Sequence, residues 1–236
     1  VTETPPINNQ IDQFKRLAGE AAVDRYVKDG TCIGLGTGST AYWAIHRVGE
    51  LVAAGWKLEA VATSKSTEAL CAQWHIPLVG FLERELDVAI DGADEVAPDF
   101  ALTKGGGGAL FREKSVALAA RTFVVIVDAG KLVPALGAFP TPIEVVPYAR
   151  PWVEREIVSA DSSVQIATRM SNGVEYRTDN GNLILDCRFG EILAPAMLDA
   201  RLRSIHGVVA TGIFADLTDH VIVADASGVR ELTKRP

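Results

Sequence analysis

Between residues 31 and 127, short apolar runs alternate with segments of helical period, and this alternation limits the fold more than any other feature of the chain. Runs at 31–35, 58–63 (LEAVAT), 76–79, 86–90 (LDVAI) and 123–127 (FVVIV) are too short for buried helices and rich in β-branched residues, so they read as strands. Between them, 41–54, 66–74 and 109–120 carry apolar residues at helical spacing. An earlier helix over 11–29, with Phe14, Leu17, Ala18, Ala21, Ala22 and Tyr26 on one face, is stopped by Gly30. Strands that alternate with helices build a parallel sheet covered on both faces. Such sheets bind ligands beyond the carboxyl ends of their strands.

The texture changes at 134–151, where prolines stand at 134, 140, 142, 147 and 151, and a boundary is expected there. Beyond it, a helix at 151–159 and a strand at 164–170 precede a Ser171-Asn172-Gly173 turn. A strand at 174–178, an Asp179-Asn180-Gly181-Asn182 turn and a strand at 183–187 follow, and the Asn-Gly pairs predict antiparallel hairpins. A helix at 195–204 and a strand at 207–210 complete a small α+β unit, and an apolar run at 220–224 is expected to return to the first sheet. Thr2 to Asn9 is expected to fray.

A chain of 236 residues with 48% hydrophobic and 22% charged residues has enough apolar surface for a core without disulfides or structural metal. Its cysteines, Cys32, Cys71 and Cys187, are odd in number and form no C-x-x-C pair, so buried thiols in a reducing compartment are expected. The net charge is −7 with no long Lys/Arg run, which argues against nucleic-acid and anionic-membrane partners. No apolar run approaches the roughly 18 residues of a membrane span, so a cytoplasmic protein is expected. The histidines at 46, 75, 206 and 220 share no metal-ligand spacing, and no G-x-S-x-G occurs.

Three loops carry the chemistry. In Gly34-Leu-Gly36-Thr37-Gly38-Ser39-Thr40, glycines let main-chain N–H groups approach an anion, the following helix adds unpaired donors, and three hydroxyls suit a phosphate. An ordinary strand–helix turn with a Ser/Thr cap gives the same pattern. The loop lacks a P-loop lysine, and Ser39 stands where a dinucleotide fingerprint needs its third glycine, although Glu59 is suitably spaced for a ribose contact. In Asp91-Gly92-Ala93-Asp94-Glu95, three carboxylates follow a buried strand. They bind a ligand or magnesium, pair with cations, or form an Asp/Gly turn. Lys104 followed by Gly105, Gly106, Gly107 and Gly108 is costly in chain entropy and makes sense where the backbone passes close to a ligand. Lys104 can steady an oxyanion, and Glu113, in the first turns of the next helix, can serve as a base. Taken singly, each also reads as a solvated surface charge.

In this order, GLGTGST (34–40), DGADE (91–95), KGGGGAL…REK (104–114) and TDNGNLILDCRFG (178–190) resemble ribose-5-phosphate isomerase, type A. The resemblance extends over nearly the whole chain, from the helix around Lys15 through VDAGK (127–131) to GVVATGIFA (207–215). It implies a Rossmann-like α/β domain, 1–136 with 211–236, and an inserted α+β domain of ferredoxin/ACT-like type at 137–210, serving as lid or oligomerisation domain. It implies interconversion of ribose 5-phosphate and ribulose 5-phosphate in the pentose phosphate pathway through an enediolate, with no metal or other cofactor, in a homodimer or homotetramer.

By position, Gly36, Thr37, Gly38, Ser39 and Thr40 hold the phosphate, with Lys15 and Lys131 adding charge. Glu113 shuttles the proton between C1 and C2. Lys104 and the N–H groups of Gly105, Gly106 and Gly107 meet the oxyanion. Asp91, Gly92, Ala93 and Asp94 line the sugar, the two aspartates assisting ring opening. The chain departs from the family pattern at Gly108 (alanine expected), at Phe111, at Ala129-Gly130 and at His206. Three other readings remain: a non-catalytic sugar-phosphate sensor, a coenzyme A transferase-like enzyme with Glu113 as nucleophile, and a nicotinamide-dependent dehydrogenase.

Overall fold

The computed structural model describes residues 9–233. Residues 2–8 of the expected frayed segment lie outside that range. Asn9 is a helix cap: its side chain accepts a hydrogen bond from the Asp12 N–H (2.9 Å) at the start of the helix Gln10–Tyr26. The chain divides into two compact units: Val1–Gly92, Arg112–Lys131 and Leu217–Pro236 form the first, and Ala93–Phe111 with Leu132–Asp216 form the second. The segment with Asp94, Lys104 and the glycine run therefore groups with the second unit, whereas the reading by motif groups it with the parallel sheet.

The first unit is built on a six-stranded sheet in the order Gly228–Thr233, His220–Asp225, Phe123–Asp128, Val88–Gly92, Cys32–Leu35, Glu59–Ala62. Five strands are parallel, and Gly228–Thr233 closes one edge as the antiparallel arm of a hairpin. Phe123–Asp128 lies in the interior of the sheet and is buried at every position, as a parallel strand covered on both faces must be. Each large apolar side chain removed from water there contributes about 1.5–3 kcal/mol. On one face Ile33, Leu35, Ile90, Val124, Ile126 and Ile222 pack with Ala18, Ala22 and Val23 of Gln10–Tyr26 and with Ala44, Ile45 and Val48 of the helix Ala41–Ala53.

On the other face, the helix Leu110–Ala119 comes down on Gly34: a β-carbon there would lie 2.3 Å from Val116 Cγ1. The expected strand at 76–79 reduces to a single bridge between Leu78 and Ala60. Pro77, with no N–H, cannot extend that ladder. Cys32–Leu35 has Glu59–Ala62 on one side and Val88–Gly92 on the other. The chain order reverses there, so the gap between Cys32–Leu35 and Val88–Gly92 is the switch point at which such sheets bind ligands.

The second unit holds a four-stranded antiparallel sheet, ordered Val208–Thr211, Thr141–Val145, Leu183–Arg188, Gln165–Thr168. With the helices Arg150–Ala160 and Pro195–Arg203 between strands, it runs β-α-β-β-α-β, the ferredoxin-like order. Ile143, Val145, Val153, Ile157, Leu185 and Leu202 share its core. The first Asn-Gly turn joins Met170–Ser171 to Val174–Glu175 as expected. The second does not make a hairpin of 174–178 with 183–187. Leu183–Arg188 pairs with Thr141–Val145 and Gln165–Thr168, which bury it on both edges. A three-stranded sheet of Glu95–Val96, Leu102–Thr103 and Ile213–Phe214 completes the unit.

Candidate active site

In the first unit the sequence-derived residues gather along the carboxyl edge of the parallel sheet. Cys32–Leu35 ends in the loop 36–40, Val88–Gly92 ends in Asp91 and Gly92, and Phe123–Asp128 ends in a single 3-10 turn, Ala129–Lys131. Because the strands are parallel, all three ends share one edge. Asp91 is 4% exposed, and its Oδ1 accepts hydrogen bonds from the main-chain N–H groups of Thr37 (3.1 Å) and Gly92 (2.7 Å). Two backbone donors on one oxygen offset much of the cost of burying the carboxylate and fix its direction. Gly36 is what lets it sit there, since a β-carbon at 36 would fall 2.0 Å from Asp91 Oδ1.

The Thr37 hydroxyl lies 2.8 Å from Thr63 Oγ1, 2.8 Å from Ser64 Oγ and 3.1 Å from Thr67 Oγ1, and Thr67 in turn donates to the Gly36 carbonyl (2.8 Å). Sequence reasoning missed this hydroxyl cluster. Its trace is the TSKST run at 63–67, after the strand Glu59–Ala62, where Ser64 also caps the helix Lys65–Gln73. Gly38 and Ser39 are exposed at the loop's tip, and Thr40 is half-buried at the start of Ala41–Ala53. Lys15, half-buried on Gln10–Tyr26, makes an ion pair with Asp12 (3.6 Å), and Lys131 is half-buried.

Glu113 is 4% exposed, which removes the solvated surface reading. It sits in the first turn of Leu110–Ala119, three residues before Val116, and so on the helix face that meets the sheet at Gly34. The helix returns through residues 120–122 to the start of Phe123–Asp128, so its first turn lies toward the same carboxyl edge.

In the second unit Lys104 is 3% exposed, not a surface charge, with its ammonium 5.6 Å from the centre of the Phe214 ring. Its N–H donates to the Gly212 carbonyl (2.8 Å), so the residue is fixed at both ends. Asp94 Oδ2 accepts from the Gly106 N–H (2.8 Å), and Gly108 N–H closes a turn on the Gly105 carbonyl (3.0 Å). Gly106 and Gly107 are exposed and Gly105 is buried; Ala93 is half-buried before Asp94. Gly108, the departure from the expected alanine, has φ +82°, and its β-carbon would lie 2.3 Å from the Tyr176 hydroxyl. Tyr176 occupies the space an alanine methyl needs.

The three carboxylates of 91–95 thus have separate settings. Glu95 is 2% exposed and is saturated by Thr103 Oγ1 (2.7 Å), the Gly137 N–H (3.1 Å) and the Phe139 N–H (2.8 Å), which makes it a structural anchor. Among the described residues no group of three or more His, Cys, Asp or Glu is arranged to hold a metal ion. Burial raises all three thiols, Cys71 and Cys187 to about 12, so none is an activated nucleophile. Glu59 begins its strand, at the edge away from the loops, and pairs with Arg84, which takes away the ribose contact a dinucleotide needs.

The sequence profile of the family Ribose 5-phosphate isomerase A (phosphoriboisomerase A) matches residues 59–228. A ribose-5-phosphate isomerase A of Bacillus mycoides (strain KBAB4) is 45% identical over 220 residues, 92% of this chain and 98% of the relative. A solved D-ribose-5-phosphate isomerase in complex with phospho-erythronic acid superposes with TM-score 0.91 at 38% identity, covering 95% of this chain and 100% of the other. The ribose 5-phosphate isomerase of Plasmodium falciparum gives TM-score 0.91 at 34% identity with the same coverages. The sensor, transferase and dehydrogenase readings gain no support from these relatives.

Proposed function

The chain belongs to the ribose-5-phosphate isomerase A family and interconverts ribose 5-phosphate and ribulose 5-phosphate, and on that premise we propose that Glu113 is the base that carries a proton between C1 and C2 through an enediolate. The observation that carries this reading is the burial of two charged side chains, Glu113 at 4% and Lys104 at 3% exposure. Burying a charge is costly unless it is paired or bound. A base away from bulk water returns the proton it took before solvent exchanges it. A fixed ammonium stabilises an enediolate oxygen as negative charge develops there.

The remaining roles follow from position. The loop 36–40 grips the phosphate with main-chain N–H groups and the hydroxyls of Thr37, Ser39 and Thr40, and Lys15 and Lys131 add charge. That remote grip supplies binding energy that orients the reacting carbons. The N–H groups of Gly105, Gly106 and Gly107 add dipoles beside Lys104. Asp91, aimed by Thr37 and Gly92, takes up a proton from a sugar hydroxyl during ring opening. Asp94, already bonded to Gly106, contacts the sugar and keeps the glycine run in place. No metal or other cofactor enters the scheme. The enzyme works in the cytoplasm, in the pentose phosphate pathway, as a homodimer or homotetramer, which sedimentation of the purified protein tests.

The deciding experiment follows ketose formation from ribose 5-phosphate by metal-free protein. Glu113→Gln is expected to keep sugar-phosphate binding and lose at least about 100-fold in rate, the usual share of general base catalysis. Near-normal turnover in that variant removes Glu113 from its role. Activity abolished by EDTA and restored by magnesium reassigns the 91–95 carboxylates to a metal.

A further inference from the structure

The glycine run needs something to hold it, and the structure supplies it from far along the chain. Arg169 lies between the strands Gln165–Thr168 and Met170–Ser171. Its Nη1 donates to the carbonyl oxygens of Gly105 (2.7 Å) and Gly106 (3.1 Å). The guanidinium is itself clamped: Nε donates to Asp186 Oδ2 (2.9 Å) and Nη2 to Asp186 Oδ1. Asp186 stands within Leu183–Arg188, the strand paired on both edges, and the Arg169 N–H donates to the Ile184 carbonyl (2.8 Å), so the clamp rests on sheet. The fork-on-fork geometry of Arg and carboxylate leaves the guanidinium little freedom.

A trans peptide points its N–H opposite to its C=O. The carbonyl of Gly105 shares a peptide with the N–H of Gly106, and that of Gly106 with the N–H of Gly107. Holding both carbonyls on one cation therefore aims both N–H groups the other way. The first reaches Asp94. The second belongs to Gly107, which is exposed. A cation on a carbonyl also polarises its peptide and makes the attached N–H a stronger donor. Without this hold, glycines with broad backbone freedom would scatter those donors.

We infer that Arg169, buttressed by Asp186, is a positioning residue that sets the direction and strength of the Gly107 N–H for the enediolate and, through the Gly106 N–H, the setting of Asp94; this rests on the site proposed above. Donors that matter only as charge develops should act on kcat and spare ground-state binding. The test compares Arg169→Lys, Arg169→Met and Asp186→Asn with the unaltered enzyme. It measures kcat, KM, the thermal midpoint, and affinity for two probes: 4-phospho-erythronate, whose carboxylate places charge where the enediolate does, and ribitol 5-phosphate, which carries none there.

Expected is a 10- to 100-fold fall in kcat for Arg169→Met, a smaller fall for Arg169→Lys and Asp186→Asn, and KM within about twofold. Affinity for 4-phospho-erythronate should weaken in step with kcat while that for ribitol 5-phosphate holds. Asp186→Asn keeps Arg169 and carries the test if Arg169→Met does not fold. Unchanged kcat in the folded variants, or equal loss of affinity for both probes, overturns the inference. Glu113→Gln run alongside separates the levels: a dead Glu113→Gln beside a fully active Arg169→Met overturns the Arg169 role alone, and an active Glu113→Gln overturns the site and this inference with it.

Discussion

Glu95→Gln is the change that best separates support from chemistry within the 91–95 carboxylates. Glu95 accepts three hydrogen bonds, from Phe139 N–H on Oε1 and from Gly137 N–H and Thr103 Oγ1 on Oε2. Glutamine keeps the shape but has one acceptor oxygen. If its oxygen takes the Oε2 place, its amide nitrogen faces the Phe139 N–H; if it takes the Oε1 place, the amide faces the Gly137 N–H, while the Thr103 hydroxyl rotates to accept. Either way one half-buried backbone donor is stranded, at a cost of about 1–3 kcal/mol. The neutral amide also loses charge-assisted bonds, but it no longer carries a buried charge, and these two effects largely offset. A net loss of about 2 kcal/mol lowers the melting midpoint by about 4–8 °C in a chain of this size.

Asp91→Asn is the mirror image. A single Oδ1 takes the backbone donors of Thr37 and Gly92, and asparagine keeps that oxygen, so the midpoint should fall by less than in Glu95→Gln while kcat falls at least tenfold. Calorimetry and the ketose assay on both variants decide the matter. Glu95→Gln with an unchanged midpoint and a tenfold lower kcat would refute the assignment of Glu95 as an anchor.

Other outcomes can be checked directly. Gly36→Ala places a β-carbon on the Asp91 carboxylate and should cost about 1–3 kcal/mol in a denaturant titration, together with most of the activity. Hydrogen bonds from the Ser227 hydroxyl, then Arg230, then the Ser227 N–H hold Asp225 at about 2. Since its folded value is depressed, its contribution is complete above the ordinary aspartate range and fades as the pH falls toward 2; an NMR titration should show Ser227→Ala moving the midpoint upward. Thiol alkylation at pH 8, read by mass spectrometry, should leave the native protein unmodified and add three adducts in denaturant, because burial holds Cys32, Cys71 and Cys187 in the thiol form.

The parts of this molecule that could be read from sequence are the ones coded locally. The run FVVIV and the loop GLGTGST declare a buried strand and a strand–helix turn because period, β-branching and glycine act within a few residues. Thr141–Val145 was hidden: it reads as part of a proline-rich boundary, yet it is an inner strand of the second sheet. Pro142 is tolerated because it sits near the strand's start and contributes its carbonyl, which accepts from the Gly212 N–H (2.7 Å). Strands of two residues, such as Glu95–Val96 and Leu102–Thr103, have no period to detect. At the site, Lys104 and Glu113 could be nominated by their glycine context, but their burial, and the separate setting of Glu95, depend on partners distant in sequence. Arg169 is 64 residues from Gly105, and nothing in its own neighbourhood marks it.

Asp91 takes aim from two peptide N–H groups, which no change of side chain removes. Replacing the Thr37 hydroxyl therefore leaves both of those donors available to the carboxylate. A protein engineer seeking a new anionic substrate can therefore vary 37, 39 and 40, and should keep Thr63, tied to the Leu35 carbonyl, and the helix cap Ser64, with Gly36 and Gly92 as the frame into which any lining must fit.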